Sequence, residues 1–447
     1  FSALALFLAF TYSNTFYAFL LLVTGSVGTL IGLEIPLIIR ILRERDTSLR
    51  LTVANVMTAD YVGALVASLS FPFLLVPYLG LMRASFLMGL LNLAVGCLCL
   101  SVFKEEMGRS LWRVRIFALV STLLLVAGFL GSAKLVKLVE DDLYPDEIIL
   151  ARQSKYQRIV LTKWRNDIRL FLDSKLQFST IDEYRYHECL VHPPMAAKKG
   201  RVERVLILGG GDGMAAREVL KYPDVRQITL VDLDPVITKI FKENDYLAEL
   251  NDYSLRNEKV KVINSDAMRF LEESKERFDV VLVDLPDPNN FSLGKLYTLS
   301  FYELITRRLN RNGVICIQSS SPFFAPRSYW CVVKTLGAVP IPEKGEGASL
   351  ETLPYHTHVP SFGDWGYVMA AKNQIEPKKL ELKVETRFLN HETLEKLFVF
   401  PKDLLSPGEV EVNRLNNQLI VQYYDEGYEQ YFTDTESKEK PKTENEG

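Results

Sequence analysis

Val205-Leu206-Ile207-Leu208-Gly209-Gly210-Gly211-Asp212-Gly213 is the stretch on which the fold turns. Four consecutive apolar residues read as a strand buried on both faces. The glycines that follow mark a backbone that bends sharply and lets a ligand come close. A helix is expected at about 214–221. Strand, glycine loop and helix in this order open many nucleotide-binding folds.

The same alternation continues downstream. Strands are expected at Ile228-Thr229-Leu230-Val231, Val260-Lys261-Val262-Ile263, Val280-Val281-Leu282-Val283 and Val314-Ile315-Cys316-Ile317, with helices at about 235–250, 267–274 and 298–309. Buried strands alternating with helices imply a doubly wound, mostly parallel sheet, Rossmann-like and of the methyltransferase type. Upstream the text is different. Ile159-Val160-Leu161, Ile168-Arg169-Leu170-Phe171-Leu172 and Leu176-Gln177-Phe178 are short and split by turn-like residues, which reads as a small antiparallel β domain over 148–192.

Carboxylates stand where the strands end. Asp232, at the tip of the second strand, is placed to accept hydrogen bonds from a ribose diol. Asp266, after the third, can meet an adenine amino group. Gly209 and Gly211 belong to the loop that admits the ligand. No second phosphate-cradling loop is evident, so an adenosyl sulfonium fits better than a dinucleotide. The fourth strand runs into Asp284-Leu285-Pro286-Asp287-Pro288. Asp284 can take the proton of an attacking amine, and Asp287 can hold a second, cationic amine. The competing reading is turn chemistry, for which Asp-Pro is a common signal. Asp212, a carboxylate on a glycine loop, repels phosphate and suits a cation.

Taken together, Gly-Gly-Gly-Asp-Gly, the acidic end of strand two and Asp-x-x-Asp-Pro resemble the spermidine/spermine synthase family. Ser154-Lys155-Tyr156-Gln157, Leu172-Asp173-Ser174-Lys175-Leu176-Gln177 and Asp182-Glu183-Tyr184-Arg185-Tyr186-His187-Glu188 are similar to its N-terminal β domain. The apolar N-terminus, with Gln318-Ser319-Ser320-Ser321-Pro322 and the segment from Pro354 to Pro360, looks like its membrane-bound bacterial branch, the polyamine aminopropyltransferases. The resemblance implies aminopropyl transfer from decarboxylated S-adenosylmethionine to an amine, most simply putrescine, with release of methylthioadenosine. The donor would be a co-substrate, with no cofactor and no metal. Gln157, Asp232, Asp266 and Ala267 would contact the nucleoside. His187, Asp212 and Asp287 would hold the acceptor, and Asp284 would be the general base. The sequence departs from the family in several places. Asp232 replaces a usual Glu, Pro286 sits between the two aspartates, and Asn289-Asn290-Phe291 stands in place of a proline-rich gate. The usual tyrosine pair of the amine pocket has only Tyr355 and Trp365 as candidates.

Two other readings stay open. A methyltransferase shares the sheet and the nucleoside contacts, but the acidic set Asp212, Asp284 and Asp287 would be unusual around a methyl acceptor. A polyamine sensor or transporter would bind without turnover.

The N-terminal third is of another kind. The chain has 447 residues, a net charge of −3 and 48% hydrophobic residues, but the apolar ones are concentrated at one end. No charged side chain occurs in 1–33, 61–82, 84–103 or 116–133. Such runs are expected to be transmembrane helices in a lipid bilayer, at about 15–40, 54–79, 84–103 and 113–134, with a partial span at 1–12. The chain opens on Phe1 in mid-run, so a truncated piece is expected. Arg40, Arg43, Arg45 and Arg50, and then Lys104, Arg109, Arg113 and Arg115, point two loops to the cytoplasm. A fourth full crossing would then carry the catalytic domain outside, where its nucleoside donor is scarce; the donor favours the cytoplasm. Glu34 and Asp60, inside or beside these runs, are either functional carboxylates or side chains reaching the headgroups.

The expected division is therefore 1–140 membrane segment, 148–192 β domain, 193–372 catalytic domain, 373–433 C-terminal extension and 434–447 disordered tail. Cys97, Cys99, Cys189, Cys316 and Cys331 form no CxxC pair and read as small buried hydrophobes rather than disulfide or zinc ligands. The near-neutral charge gives no reason to expect nucleic-acid binding. A homo-oligomer is compatible with all of this.

Overall fold

The computed structural model describes residues 16–43, 49–102, 111–144, 146–405 and 408–439. The expected partial span at 1–12, and Arg45, Lys104 and Arg109 of the two basic clusters, lie outside them. The chain divides into two compact units, Phe1–Ile149 and Leu150–Gly447.

The first unit holds four long helices, α1 (Phe16–Arg43), α2 (Leu49–Ser70), α3 (Val76–Val102) and α4 (Leu111–Leu143). All four are long and apolar enough to cross a membrane, over Ala18–Ile41, Arg50–Leu75, Tyr78–Ser101 and Trp112–Ser132. Between α2 and α3 the chain forms a π turn, Phe71–Leu75, containing Pro72; Gly80 then breaks the start of α3 at φ 75°. α3 and α4 pack closely because Gly128 has no side chain: a Cβ there would lie 2.4 Å from the Phe86 ring. Arg83 Nε donates to Ser132 Oγ across the same pair at 3.2 Å. Glu34 on α1 and Asp60 on α2 are both exposed.

The second unit contains two sheets. The smaller has the order β1-β2-β3-β4, from Glu147–Gln153, Arg158–Trp164, Asp167–Leu172 and Lys175–Ser179. The β3–β4 turn places Asp173 and Ser174 both at positive φ, the type I′ geometry that matches strand twist. This sheet ends at Ser179. Residues 183–192, expected as part of the β domain, instead begin the helix Glu183–Ala197, whose buried side carries Tyr186, His187 and Glu188.

The larger sheet has seven strands in the order β10-β11-β9-β8-β5-β6-β7. β5 (Arg204–Gly209), β6 (Gln227–Asp232), β7 (Val260–Asn264), β8 (Phe278–Asp284) and β9 (Leu309–Gln318) are parallel. β10 (Glu351–Val359) and β11 (Gly363–Ala371) add an antiparallel hairpin beside β9. The sheet is therefore mixed, with every expected strand present and the hairpin in addition. Side chains alternate across it: Val205 and Ile207 join one apolar cluster, Leu206 and Leu208 the other. The expected 235–250 helix is two, Pro235–Glu243 and Asp245–Leu250. Asn244 separates them and caps the second, accepting from Tyr246 N and Leu247 N.

From β5 the chain winds outward through β6 in one direction and β8 in the other. That reversal leaves a crevice at the carboxyl ends of the strands, where open α/β sheets bind ligands. A last helix, Leu419–Glu439, extends through 434–439 of the expected tail; 440–447 lie outside the described residues.

Candidate active site

Register brings the glycine loop and the fourth-strand carboxylate together. Gly209 of β5 pairs with Asp284 of β8. Gly209 sits at φ 85°, and an added Cβ would come within 1.9 Å of the Asp284 carbonyl oxygen, so only glycine fits. Gly211 is constrained on the opposite side: its Cβ would lie 2.6 Å from Asp232 Oδ2, and its own N–H donates to that oxygen at 3.1 Å. Asp232 Oδ1 accepts from Asp234 N at 2.8 Å. Burial pushes the Asp232 carboxyl up to about 7.

Asp212 accepts from Met214 N at 2.8 Å, and its carbonyl accepts from Asn251 Nδ2 at 2.7 Å. Burial raises its pKa to about 6; the nearby His187 charge opposes that and the Asp284 charge adds to it. Asp284 is also raised by burial, against the pull of His187 and of a hydrogen bond from Tyr186, whose phenol donates to Oδ1 at 2.6 Å. Asp232, Asp212, His187 and Asp284 thus form a chain of charges that act on one another.

His187 comes from the helix above the crevice. Its Nδ1 meets Glu183 Oε2 at 2.7 Å, and Arg217 holds both Glu183 oxygens at 2.9 and 3.0 Å. Burial works against the imidazolium, but Glu183, Asp212 and Asp284 outweigh it and lift the pKa to about 9. His187 thus presents its imidazole to the carboxylates of Glu183, Asp212 and Asp284.

Asp287 lies on the other side of Asp284. Its oxygens meet Gln318 Nε2 at 3.4 Å and Ser320 Oγ at 3.3 Å, and the Tyr424 phenol also hydrogen-bonds it. Burial raises it to about 6 despite these donors. Tyr297 fixes the intervening turn, donating to the Pro286 carbonyl at 3.0 Å and accepting from Gln318 Nε2 at 2.9 Å. Ser320 sits at φ 63°, a strained conformation for a serine, of the kind held in place around functional sites.

The remaining expected residues border the crevice. Gln157 Nε2 donates to Asp234 Oδ2 at 3.2 Å, tying the small sheet to the tip of β6. Asp266 caps the helix Ala267–Glu273 and pairs with Lys295 Nζ at 2.9 Å. Burial raises its pKa, but Lys295 and the capped N–H groups hold it below the ordinary carboxylate value. Of the two aromatic candidates, Tyr355 turns into the core and donates to the Cys189 carbonyl at 2.8 Å. Trp365 packs 6.3 Å from Tyr186, ring to ring.

Known proteins share much of this sequence and its fold. Residues 183–379 match the spermine/spermidine synthase domain. A polyamine aminopropyltransferase of Leptospira interrogans is 47% identical over 425 residues, covering 95% of this chain and 82% of the relative. This chain belongs to the polyamine aminopropyltransferase family. Polyamine aminopropyltransferase 2 of Ralstonia nicotianae is 45% identical, covering 96% and 82%, and that of Oceanobacillus iheyensis 42%, covering 95% and 81%. A spermidine synthase solved with the transition-state analogue AdoDATO superposes with a TM-score of 0.52 at 25% identity, over 58% of this chain and 88% of that one. The spermidine synthase of Thermotoga maritima gives 0.51 at 25%, over 58% and 87%.

The enzyme is thus an aminopropyltransferase whose donor, decarboxylated S-adenosylmethionine, is a co-substrate rather than a cofactor. Three side chains at the site of this aminopropyltransferase were not singled out from sequence: Tyr186, Tyr297 and Tyr424. Tyr186 adjoins His187 in a quoted motif, but its contact with Asp284 depends on how the helix faces the sheet. Tyr424 comes from a segment read only as an extension.

Proposed function

We propose that the acceptor is a diamine, most simply putrescine, giving spermidine and methylthioadenosine. Asp232, Gln157, Asp266 and Ala267 hold the nucleoside, and Gly209 and Gly211 let it approach the backbone. His187, Asp212 and Asp287 serve the amine, and Asp284 is the general base. The observation that carries this reading is the row of half-buried carboxylates Asp212, Asp284 and Asp287 gathered at one sheet end, a setting made for cations rather than phosphate.

The reaction is a direct displacement. Asp284 takes a proton from the reacting ammonium, whose freed lone pair attacks the aminopropyl CH2 next to the sulfonium. The C–S bond breaks, its electron pair neutralises sulfur, and methylthioadenosine leaves. Tyr186 holds one Asp284 oxygen, so the other is free to face the amine. The His187 charge opposes the rise that burial imposes on the Asp212 and Asp284 carboxyls, and the ammonium groups of the acceptor act in the same direction. Positioning and electrostatics supply most of the rate.

We also infer that α1–α4 lie in a lipid bilayer with the catalytic unit on the cytoplasmic side, where the donor is made; that side requires one of the four to re-enter rather than cross, since four full crossings put the catalytic unit opposite the basic loops. Their exposed side chains are largely apolar, among them Leu30, Leu65, Phe117 and Leu130. The acceptor assignment is tested by giving the purified protein decarboxylated donor with a panel of amines and reading products by mass. Turnover with a monoamine as fast as with putrescine would remove the role of the second carboxylate.

A further inference from the structure

The amine end of the crevice is closed by a segment beyond the matched family domain. The helix Leu419–Glu439 is seated firmly. Arg327 Nη1 pairs with Glu426 Oε2 at 2.6 Å, and its guanidinium lies 4.0 Å over the Tyr423 ring. Tyr428 stacks on Phe324 at 5.8 Å. Gly427 passes so close that a Cβ would lie 2.6 Å from the Phe324 carbonyl oxygen. Near the other end, Val421 and Gln418 press on Gly294.

This seating carries two phenols to the second carboxylate. Tyr424, largely buried, hydrogen-bonds Asp287, while Tyr428 hydrogen-bonds Ser320 and Tyr424. Ser320 in turn donates to Asp287. Lys175 of β4 places its ammonium 5.6 Å from the Tyr424 ring, and its charge acts on Asp287 as well. With Gln318, Ser320 and Tyr424 bonded to it, the Asp287 carboxylate retains acceptor capacity for one further donor, such as the distal ammonium of an acceptor.

We propose that Tyr424 and Tyr428 form the wall that sets acceptor length, so that specificity is decided by the C-terminal helix. This rests on the reading of Asp287 as the distal-amine site. A diamine that fits ends at Asp287, and a longer chain meets the two phenols. The Tyr424 hydroxyl orients Asp287, and the ring limits reach.

The test uses the full chain in detergent, with saturating donor and methylthioadenosine release as the readout. Acceptors are diamines of three, four and five carbons and a triamine. Tyr424→Phe should raise acceptor KM by about tenfold, the usual size of a lost hydrogen bond to a charged group, with the loss on KM rather than kcat and donor KM unmoved. Tyr424→Ala should cut the preference for the four-carbon over the five-carbon diamine and the triamine by about tenfold or more. Arg327→Gln, which removes two of the contacts that seat the helix and leaves Asp287 untouched, should shift the length profile in the same direction, and it covers the case in which Tyr424→Ala does not fold. Wild-type acceptor KM in Tyr424→Phe together with an unaltered length profile in Tyr424→Ala, or in Arg327→Gln where Tyr424→Ala does not fold, would overturn the proposal while leaving diamine transfer intact. Failure of the unaltered enzyme on every diamine would instead overturn the acceptor reading itself.

Discussion

The Tyr186 phenol donates to Asp284 Oδ1 at 2.6 Å, joining the Glu183–Ala197 helix to the exit of β8. The bond leaves Asp284 with one oxygen committed and one open. Asp284→Asn should keep the fold and the affinity for methylthioadenosine while kcat falls by a factor on the order of 10² to 10⁴, the range for loss of a general base. Tyr186→Phe should cost less, roughly tenfold, and shift the pH–rate profile. Near-normal turnover in Asp284→Asn would remove this carboxylate from the mechanism.

Asp212→Asn and Asp287→Asn should act mainly through the amine. Each removes a charge-assisted contact worth roughly 1.5–3 kcal/mol, and acceptor KM should rise about ten- to a hundredfold. Steady-state kinetics in both substrates decides the matter. A donor KM that rises instead, with the acceptor unaffected, would place these carboxylates on the nucleoside side.

Gly211→Ala should damage nucleoside binding rather than amine binding. The new Cβ meets Asp232 Oδ2 at 2.6 Å and Ile237 Cγ2 at 2.8 Å, so the carboxylate facing the ribose must move. The Kd for methylthioadenosine, measured by calorimetry, should rise by roughly tenfold or more, in line with overpacking costs of about 1–3 kcal/mol. Unchanged affinity would separate Asp232 from the nucleoside.

The pH dependence of ligand stabilisation follows from the raised carboxyls. Asp212 and Asp287 stand at about 6 and Asp232 at about 7, above the unfolded value near 3.9. Stability from their protonated forms is fully present below about pH 4 and is lost as pH rises through 6 and 7. A bound diammonium offsets the part of that loss due to Asp212 and Asp287 by pairing with their ionised forms. The rise in Tm caused by saturating putrescine should therefore grow between pH 5 and 7.5. Glu218, held down to about 2 with His192 and Lys221 bonded to it, pulls the absolute Tm in the opposite direction, so the ligand-induced difference is the quantity to follow. A flat or falling difference would show that Asp212 and Asp287 do not meet the amine.

Much of this site could be read from the chain, for physical reasons that also explain what was missed. β5, β6 and β8 are buried on both faces and so appear as apolar runs, broken only by Thr229 in β6, each ending in the glycine or carboxylate that marks the crevice. β10 and β11 are not, because Pro354, His356, His358, Gly363 and Gly366 break their alternation. Proline is tolerated in β10 because it is an edge strand. The charge state of His187 depends on Glu183 one turn earlier and on two aspartates from distant strands, a combination no local pattern reveals. Tyr424 reaches Asp287 only through tertiary packing of a polar helix whose apolar spacing is weak.

The most direct measurement is the product balance of the purified full chain in detergent. Decarboxylated S-adenosylmethionine and putrescine are supplied together, and S-adenosylmethionine with putrescine in a parallel reaction. The account expects methylthioadenosine and spermidine in equal amounts from the first mixture, with no adenosylhomocysteine from the second. Adenosylhomocysteine and a methylated amine, or tight binding of both substrates without turnover, would contradict it.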